Sequence, residues 1–201
     1  MRIVCLDLEG VLIPEIWIAF SEATGLSALR RTTRDEPDYD ALMRFRMDIL
    51  RQQGFKLQDI TRVISAMEPL EGAVQFIKSL REKTELIILS DTYEEFARPL
   101  MAKLGYPTLF CNSLILAPDG SITNYRLRQK DGKRQAVKAL QSLNLEIFAA
   151  GDSFNDLAMI QAAEGGCLFR APPAIRESYP DIPWVDTYDE LLAQIVAFLS
   201  R

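Results

Sequence analysis

Apolar positions in this chain fall into short unbroken runs separated by stretches of helical spacing. Ile3-Val4-Cys5-Leu6, Leu86-Ile87-Ile88-Leu89 and Ile147-Phe148-Ala149-Ala150 are continuous and carry β-branched residues. Such runs predict strands buried on both faces, as in a parallel sheet. Gly166-Cys167-Leu168-Phe169 predicts a further strand and Trp184-Val185 an edge strand. Thr108 to Cys111 reads as a short strand, and Ser113–Leu116 with Ile122–Arg126, about Pro118-Asp119-Gly120, as a hairpin. Helical periodicity covers 72–83, 93–104, 133–143, 157–163, 173–179 and 188–200. Strand and helix alternate, which predicts an α/β fold.

Residues 15–68 break that rhythm. Ile16 to Thr24, ended by Gly25, predicts a short helix; Tyr39 to Gln52, with Asp38 as N-cap and Gly54 as stop, a second; Leu57 to Met67, before Pro69, a third. No strand pattern lies among them. The expected organisation is therefore an α/β core of residues 1–14 plus 69–201 and a helical insertion, 15–68, over the sheet edge. The connector from Leu29 to Pro37, with Arg30, Arg31 and Arg34, reads as a solvated loop. On the second helix, Tyr39, Leu42, Met43, Phe45, Ile49 and Leu50 share one arc with Arg46 near its middle. That guanidinium either snorkels or pairs with Asp48 or a neighbour, or it awaits a carboxylate ligand.

Composition narrows the function. With 201 residues, 48% hydrophobic and 25% charged, the chain suits one domain or one domain with an insertion. A net charge of -5 argues against nucleic acid as a partner, since phosphate-backbone binding needs a basic surface. No apolar run reaches the ~18–20 residues of a membrane span, and Met1-Arg2 leads directly into a strand, so a cytoplasmic protein is expected. Cys5, Cys111 and Cys167, odd in number and in apolar strand-like contexts, read as small buried thiols. Histidine is absent. Ser-His-Asp chemistry and His-ligated zinc are thereby excluded, leaving carboxylates, lysine, hydroxyls and a hard, oxygen-liking metal.

Three apolar strands end in polar groups: Asp7 and Glu9, then Ser90 and Asp91, then Asp152, Asn155 and Asp156. Parallel strands of one sheet bring such ends together. Gly151 permits a tight turn, and Asp152 and Asp156 bracket one helical turn, so both carboxylates and Asn155 can face one space. Clustered oxygen ligands suggest a divalent cation. The segment Arg126 to Arg134 holds five cations; it reads as a basic surface turn, except that Lys133 opens a helix whose first N–H groups could face an anion.

These residues carry a specific resemblance. DLEG at 7–10, LSDT at 89–92, Lys133 and GDSFND at 151–156 resemble, in order and spacing, the four motifs of the haloacid dehalogenase (HAD) superfamily of phosphohydrolases. The match spans nearly the whole chain. Within the superfamily the chain looks like the phosphoserine phosphatase group, most closely the ThrH type, described as having phosphoserine:homoserine phosphotransferase activity as well. The resemblance implies a Rossmann-like HAD core with a parallel sheet and a helical, C1-type cap. It implies Asp7 as nucleophile, Glu9 as acid–base, and Mg²⁺ held by Asp7, the Glu9 backbone carbonyl and Asp152, with Asp156 supporting. Ser90, Asp91, Lys133 and Asn155 would then bind on the phosphate side, Arg46 the substrate carboxylate and Glu15 its ammonium group. O-phospho-L-serine is the implied substrate and L-homoserine a possible acceptor.

Two positions depart from the common pattern: Glu9 stands where Asp is usual and Asp91 where Gly is more frequent, and both fit the ThrH type. Glu15 read alone is equally a first-turn helix acid. Two other readings stay open at this level: a HAD phosphatase for another small ester, of a sugar or nucleotide, and a receiver-like domain phosphorylated as a switch. Glu9 and the 15–68 insertion weigh against the switch. Oligomeric state leaves no mark in the pattern.

Overall fold

Strand β1 (Arg2–Leu6) lies in the middle of the molecule because its residues are apolar on both sides. Ile3 and Cys5 face one buried cluster, Val4 and Leu6 the other. The computed structural model describes residues 1–32, 35, 36 and 38–201; Thr33, Arg34 and Pro37, in the expected connector, lie outside the described residues.

Six further strands complete one sheet: β2 (Leu86–Tyr93), β3 (Thr108–Leu116), β4 (Ile122–Arg126), β5 (Glu146–Gly151), β6 (Gly165–Phe169) and β7 (Trp184–Val185). Their order is β4-β3-β2-β1-β5-β6-β7, parallel throughout except for the antiparallel β3–β4 pair. β1 pairs with β2 on one side and β5 on the other, so the strand order reverses at β1. Crevices at such reversals, outside the carboxyl ends of the strands, are where open α/β sheets bind ligands.

Among the described residues, four α-helices lie between β1 and β2, and the first three fall in the expected insertion: α1 (Ile16–Thr24), α2 (Tyr39–Gln53) and α3 (Leu57–Ala66). The rest are α4 (Ala73–Arg81), α5 (Glu94–Lys103), α6 (Gly132–Gln141), α7 (Leu157–Ala162), α8 (Pro173–Ser178) and α9 (Tyr188–Leu199). Helices α4, α5 and α9 bury apolar stripes in the cluster on one sheet face, and α6, α7 and α8 in that on the other. None is long and apolar enough to cross a membrane. The α2 start follows the sequence: the Asp38 carboxylate accepts the Ala41 N–H at 3.0 Å, a cap worth about 1 kcal/mol, and Gly54 ends the helix at φ 71°. The first apolar cluster runs without a break from the sheet into these three helices, through Phe20, Met43, Met47, Ile60 and Ile64.

Four details differ from expectation. β2 continues through Ser90, Asp91 and Thr92 instead of stopping at Leu89, and its register against β3 slips between Leu89 and Tyr93. A bulge leaves residues unpaired and re-aims their side chains, which is how polar residues occupy this strand. β3 is one strand of nine residues, not two short ones, because its first half pairs with β2 and its second half with β4. Ser27–Arg30, at the start of the expected loop, forms a 3₁₀ turn that buries Leu29. Cys5 and Cys167 are buried, but Cys111 is only partly covered, on a strand near the sheet edge.

Candidate active site

The end of β1 hands the chain to Asp7, whose N–H donates to the Ala150 carbonyl of β5 at 3.0 Å. Residues 8–13 then fold into a tight turn, with Leu12 and Ile13 donating to Leu8 and Gly10 to Ile13. Gly10 takes φ 77°, and a Cβ there would meet the Asp152 carboxyl at 2.5 Å. The glycine is needed twice, for its backbone angle and for the closeness of Asp152.

Asp7, Asp152 and Asp156 are all buried and offer carboxylate oxygens within 4.8 Å of one another. Asp156 is fixed by the turn after β5: Ser153 N–H donates to its Oδ2 at 3.0 Å, and Gly151 leaves room for its carboxyl where a Cβ would collide. Lys133, in the first turn of α6, reaches Asp156 Oδ1 at 2.6 Å and Asp7 Oδ1 at 2.8 Å, with Asp91 Oδ2 at 3.8 Å. Three buried carboxylates against one ammonium leave negative charge in excess. Burial and Asp156 therefore push Asp7 well above the usual carboxylate range despite the pull of Lys133. Burial alone would favour a neutral Lys133, but Asp156 and Asp7 outweigh it and hold its charge. A hard cation with oxygen ligands fits this donor set: it would be balanced by the excess charge and would stabilise the ionised form of Asp7.

Glu9 leaves the same turn. Its Oε2 accepts the Ile16 N–H at 2.9 Å, at the start of α1, and the Thr92 side chain lies beside its carboxyl. Burial and the neighbouring Glu15 nevertheless push it up to about 7. Glu15 precedes α1 as its N-cap residue, makes no capping bond, and faces the pocket; it is not a first-turn acid.

Across the pocket stands Arg46, 6% exposed. It does not pair with Asp48, which bonds Arg51 instead. Its guanidinium lies over the Trp17 ring, 4.6 Å from the centroid; one terminal nitrogen donates to the Arg31 carbonyl at 2.7 Å, and Nε has no hydrogen-bond partner. The buried face of α2 is thus Leu42, Met43, Arg46, Met47 and Leu50, with Phe45 and Ile49 only half-buried.

Ser90 is buried, its Oγ accepting the Thr92 N–H at 3.2 Å. Asn155 Nδ2 donates to Asp91 Oδ2 at 2.9 Å. A cavity of about 100 Å³ brings together Asp7, Glu9, Glu15, Arg46, Ser90, Asp91, Lys133, Asp152 and Asn155; Asp156 supports it from beneath through Lys133. Every residue singled out from the sequence thus meets in one place.

Other residues complete the wall, among them Thr92, Tyr39 and Trp17. Thr92 sits inside the LSDT motif, two positions after Ser90, and alternation along β2 was the available signal for placing it beside Glu9. Tyr39 falls on the apolar arc of α2, yet its hydroxyl pairs with that of Tyr93 at 2.7 Å. Trp17 carries no signal beyond its helix.

Comparison with known proteins identifies the family. Residues 1–164 match the haloacid dehalogenase-like hydrolase family. Phosphoserine phosphatase ThrH of Pseudomonas aeruginosa is 52% identical over 201 residues, covering 100% of this chain and 98% of that protein. A phosphoserine phosphatase of Pseudomonas syringae pv. tomato is 53% identical over the same length, covering 85% of its own. A solved structure of a substrate-bound phosphoserine phosphatase complex superposes with a TM-score of 0.76 at 20% identity, covering 98% of this chain and 97% of that one. The chain belongs to the haloacid dehalogenase-like hydrolases, where its relatives are the phosphoserine phosphatases.

Proposed function

We propose that this protein hydrolyses O-phospho-L-serine through an aspartyl phosphate on Asp7, and that L-homoserine can replace water as the phosphoryl acceptor. The observation that carries the reading is a pairing across one small cavity. A buried carboxylate beside Lys133 lies on one side, and on the other a buried guanidinium with an unpartnered Nε next to Glu15. The first suits a phosphoryl group and the second an amino-acid zwitterion.

In this reading Asp7 attacks phosphorus in line while the serine oxygen leaves and takes a proton from Glu9. Water, or the homoserine hydroxyl, then gives its proton to Glu9 and attacks the phosphorus, restoring the Asp7 carboxylate. Ser90, Lys133 and Asn155 hold the phosphoryl oxygens, Lys133 offsetting their charge. Asp7, the Glu9 carbonyl and Asp152 would hold Mg²⁺, with Asp156 fixing their surroundings. The cation supplies charge neutralisation between the Asp7 carboxylate and the phosphate. Arg46 binds the substrate carboxylate, Glu15 its ammonium, and residues 15–68 act as the cap that excludes bulk water over the core formed by 1–14 and 69–201.

The test is phosphate release from O-phospho-L-serine with Mg²⁺, with and without L-homoserine, for wild type and Asp7→Asn. Turnover by wild type, lost in Asp7→Asn, with phosphate diverted onto homoserine, is expected. An unchanged rate in Asp7→Asn would refute the intermediate, and absence of phosphohomoserine would refute the transfer.

A further inference from the structure

The reaction cavity shares Tyr39, Asp91, Lys133 and Asn155 with a second cavity of about 490 Å³. The outer one is lined also by Asn112, Gln129 and the exposed Leu127 and Phe154, and so faces solvent. Asp91 stands in the common wall and is held at both ends. Its carboxylate accepts from Asn155 at 2.9 Å and lies 3.8 Å from Lys133, while its backbone carbonyl accepts from the Tyr39 hydroxyl at 3.2 Å and Asn112 Nδ2 at 3.0 Å. Its side chain is 43% exposed, in contrast to the nearly covered Asp7 and Lys133 beside it.

We infer that the Asp91–Asn155 pair is a bar between the phosphoryl site and the outer cavity, and that it sets how often water, rather than an alcohol, takes the phosphoryl group from Asp7. The inference rests on the function proposed above. In the second half-reaction the acceptor oxygen forms a bond to phosphorus as the bond from phosphorus to the Asp7 oxygen breaks. The electron pair of that bond stays on the Asp7 carboxylate, and the acceptor proton passes to Glu9. Water and an amino-acid hydroxyl use the same two groups, so the chemistry itself discriminates little between them. Access does discriminate. An amino-acid acceptor is anchored by Arg46 and Glu15, whereas water has no anchor and competes through its supply. Heavy atoms hydrogen-bonded at 2.9 Å leave no passage for a water molecule between them, so the pair closes the short route from the outer cavity.

The experiment compares wild type, Asp91→Gly and Asp91→Asn, all with Mg²⁺ and O-phospho-L-serine. It measures free phosphate against transfer, the latter read as labelled L-serine returned to phosphoserine and as phosphohomoserine formed from L-homoserine. Glycine deletes the bar, while asparagine keeps a side chain of the same shape for Asn155 to hold. The transfer-to-hydrolysis ratio is expected to fall about fivefold or more in Asp91→Gly and to stay within about twofold of wild type in Asp91→Asn. Being a ratio, it is insensitive to the fraction of each variant that folds. Equal ratios in all three overturn the bar, and an equal fall in both variants overturns it in favour of a charge effect. If wild type releases no phosphate from phosphoserine, the functional reading itself fails, and the bar with it.

Discussion

The Ile16 N–H donates to Glu9 Oε2 at 2.9 Å, so the free N-terminus of α1 clamps the carboxyl group that leaves the turn after β1. Even with that donor, with Thr92 and with Arg46 nearby, burial and Glu15 raise Glu9 from 4.5 to about 7. The sign for folding follows. An acid whose folded pKa is raised carries no penalty below its unfolded value, and destabilises the fold increasingly as pH rises through about 7.

Glu9→Gln keeps an oxygen for Ile16 and removes the charge. In metal-free protein it should therefore be more stable than wild type at pH 8, on the order of 1–2 kcal/mol after discounting for a side chain that is only half-buried, and little different near pH 4.5. Urea unfolding at the two pH values checks this. Equal differences at both would show that ionisation of Glu9 costs the fold nothing.

Lys133 is the cation shared by Asp7 and Asp156 in a nearly covered cluster. Lys133→Met leaves those carboxylates buried without it, and should cost about 3–5 kcal/mol in metal-free unfolding measurements. A loss below about 1 kcal/mol, the range of an exposed pair, would mean that water reaches the cluster freely.

Arg46→Ala should raise KM for O-phospho-L-serine about tenfold or more, and Arg46→Lys should recover only part of that, because an ammonium cannot present the planar fork. The variants also loosen the stack on Trp17, so kcat is measured alongside. A normal KM in Arg46→Ala would favour a phosphate ester without a carboxylate as the substrate.

At Gly151 a Cβ would collide with the Asp156 carboxyl, which has nowhere to retreat because Ser153 and Lys133 hold it. Gly151→Ala should cost about 1–3 kcal/mol and reduce phosphate release together with stability. Wild-type stability in this variant would mean that the turn adjusts without strain.

The four parts of the site are legible as positions from local pattern, while their roles are what the family resemblance implies. Buried runs end abruptly at Asp7, Ser90 and Asp152, and Lys133 follows a glycine at a helix start. What stayed hidden depends on neighbours distant in sequence. Ser90, Asp91 and Thr92 read as a loop because polar residues rarely continue a buried run; they remain in β2 because β3 pairs with it on both sides of a bulge. Tyr39 read as apolar since its periodicity gives no hint of Tyr93, 54 residues away, that bonds its hydroxyl. Thr108 to Leu116 split in two on paper because the strand changes partner halfway along.

Because β1 sits between strands that begin at residues 86 and 146, no contiguous segment of the chain owns the chemistry. Asp7 is separated along the chain from Lys133 by 126 residues and from Asp152 by 145. The buried cluster is therefore a property of the finished tertiary structure, and a chain in which β1 has not yet paired with β5 leaves Asp7 without Asp152 and Asp156 beside it. Contacts so far apart along the chain also place this protein among the slower folders, so the return of activity after denaturation serves as a late marker of assembly.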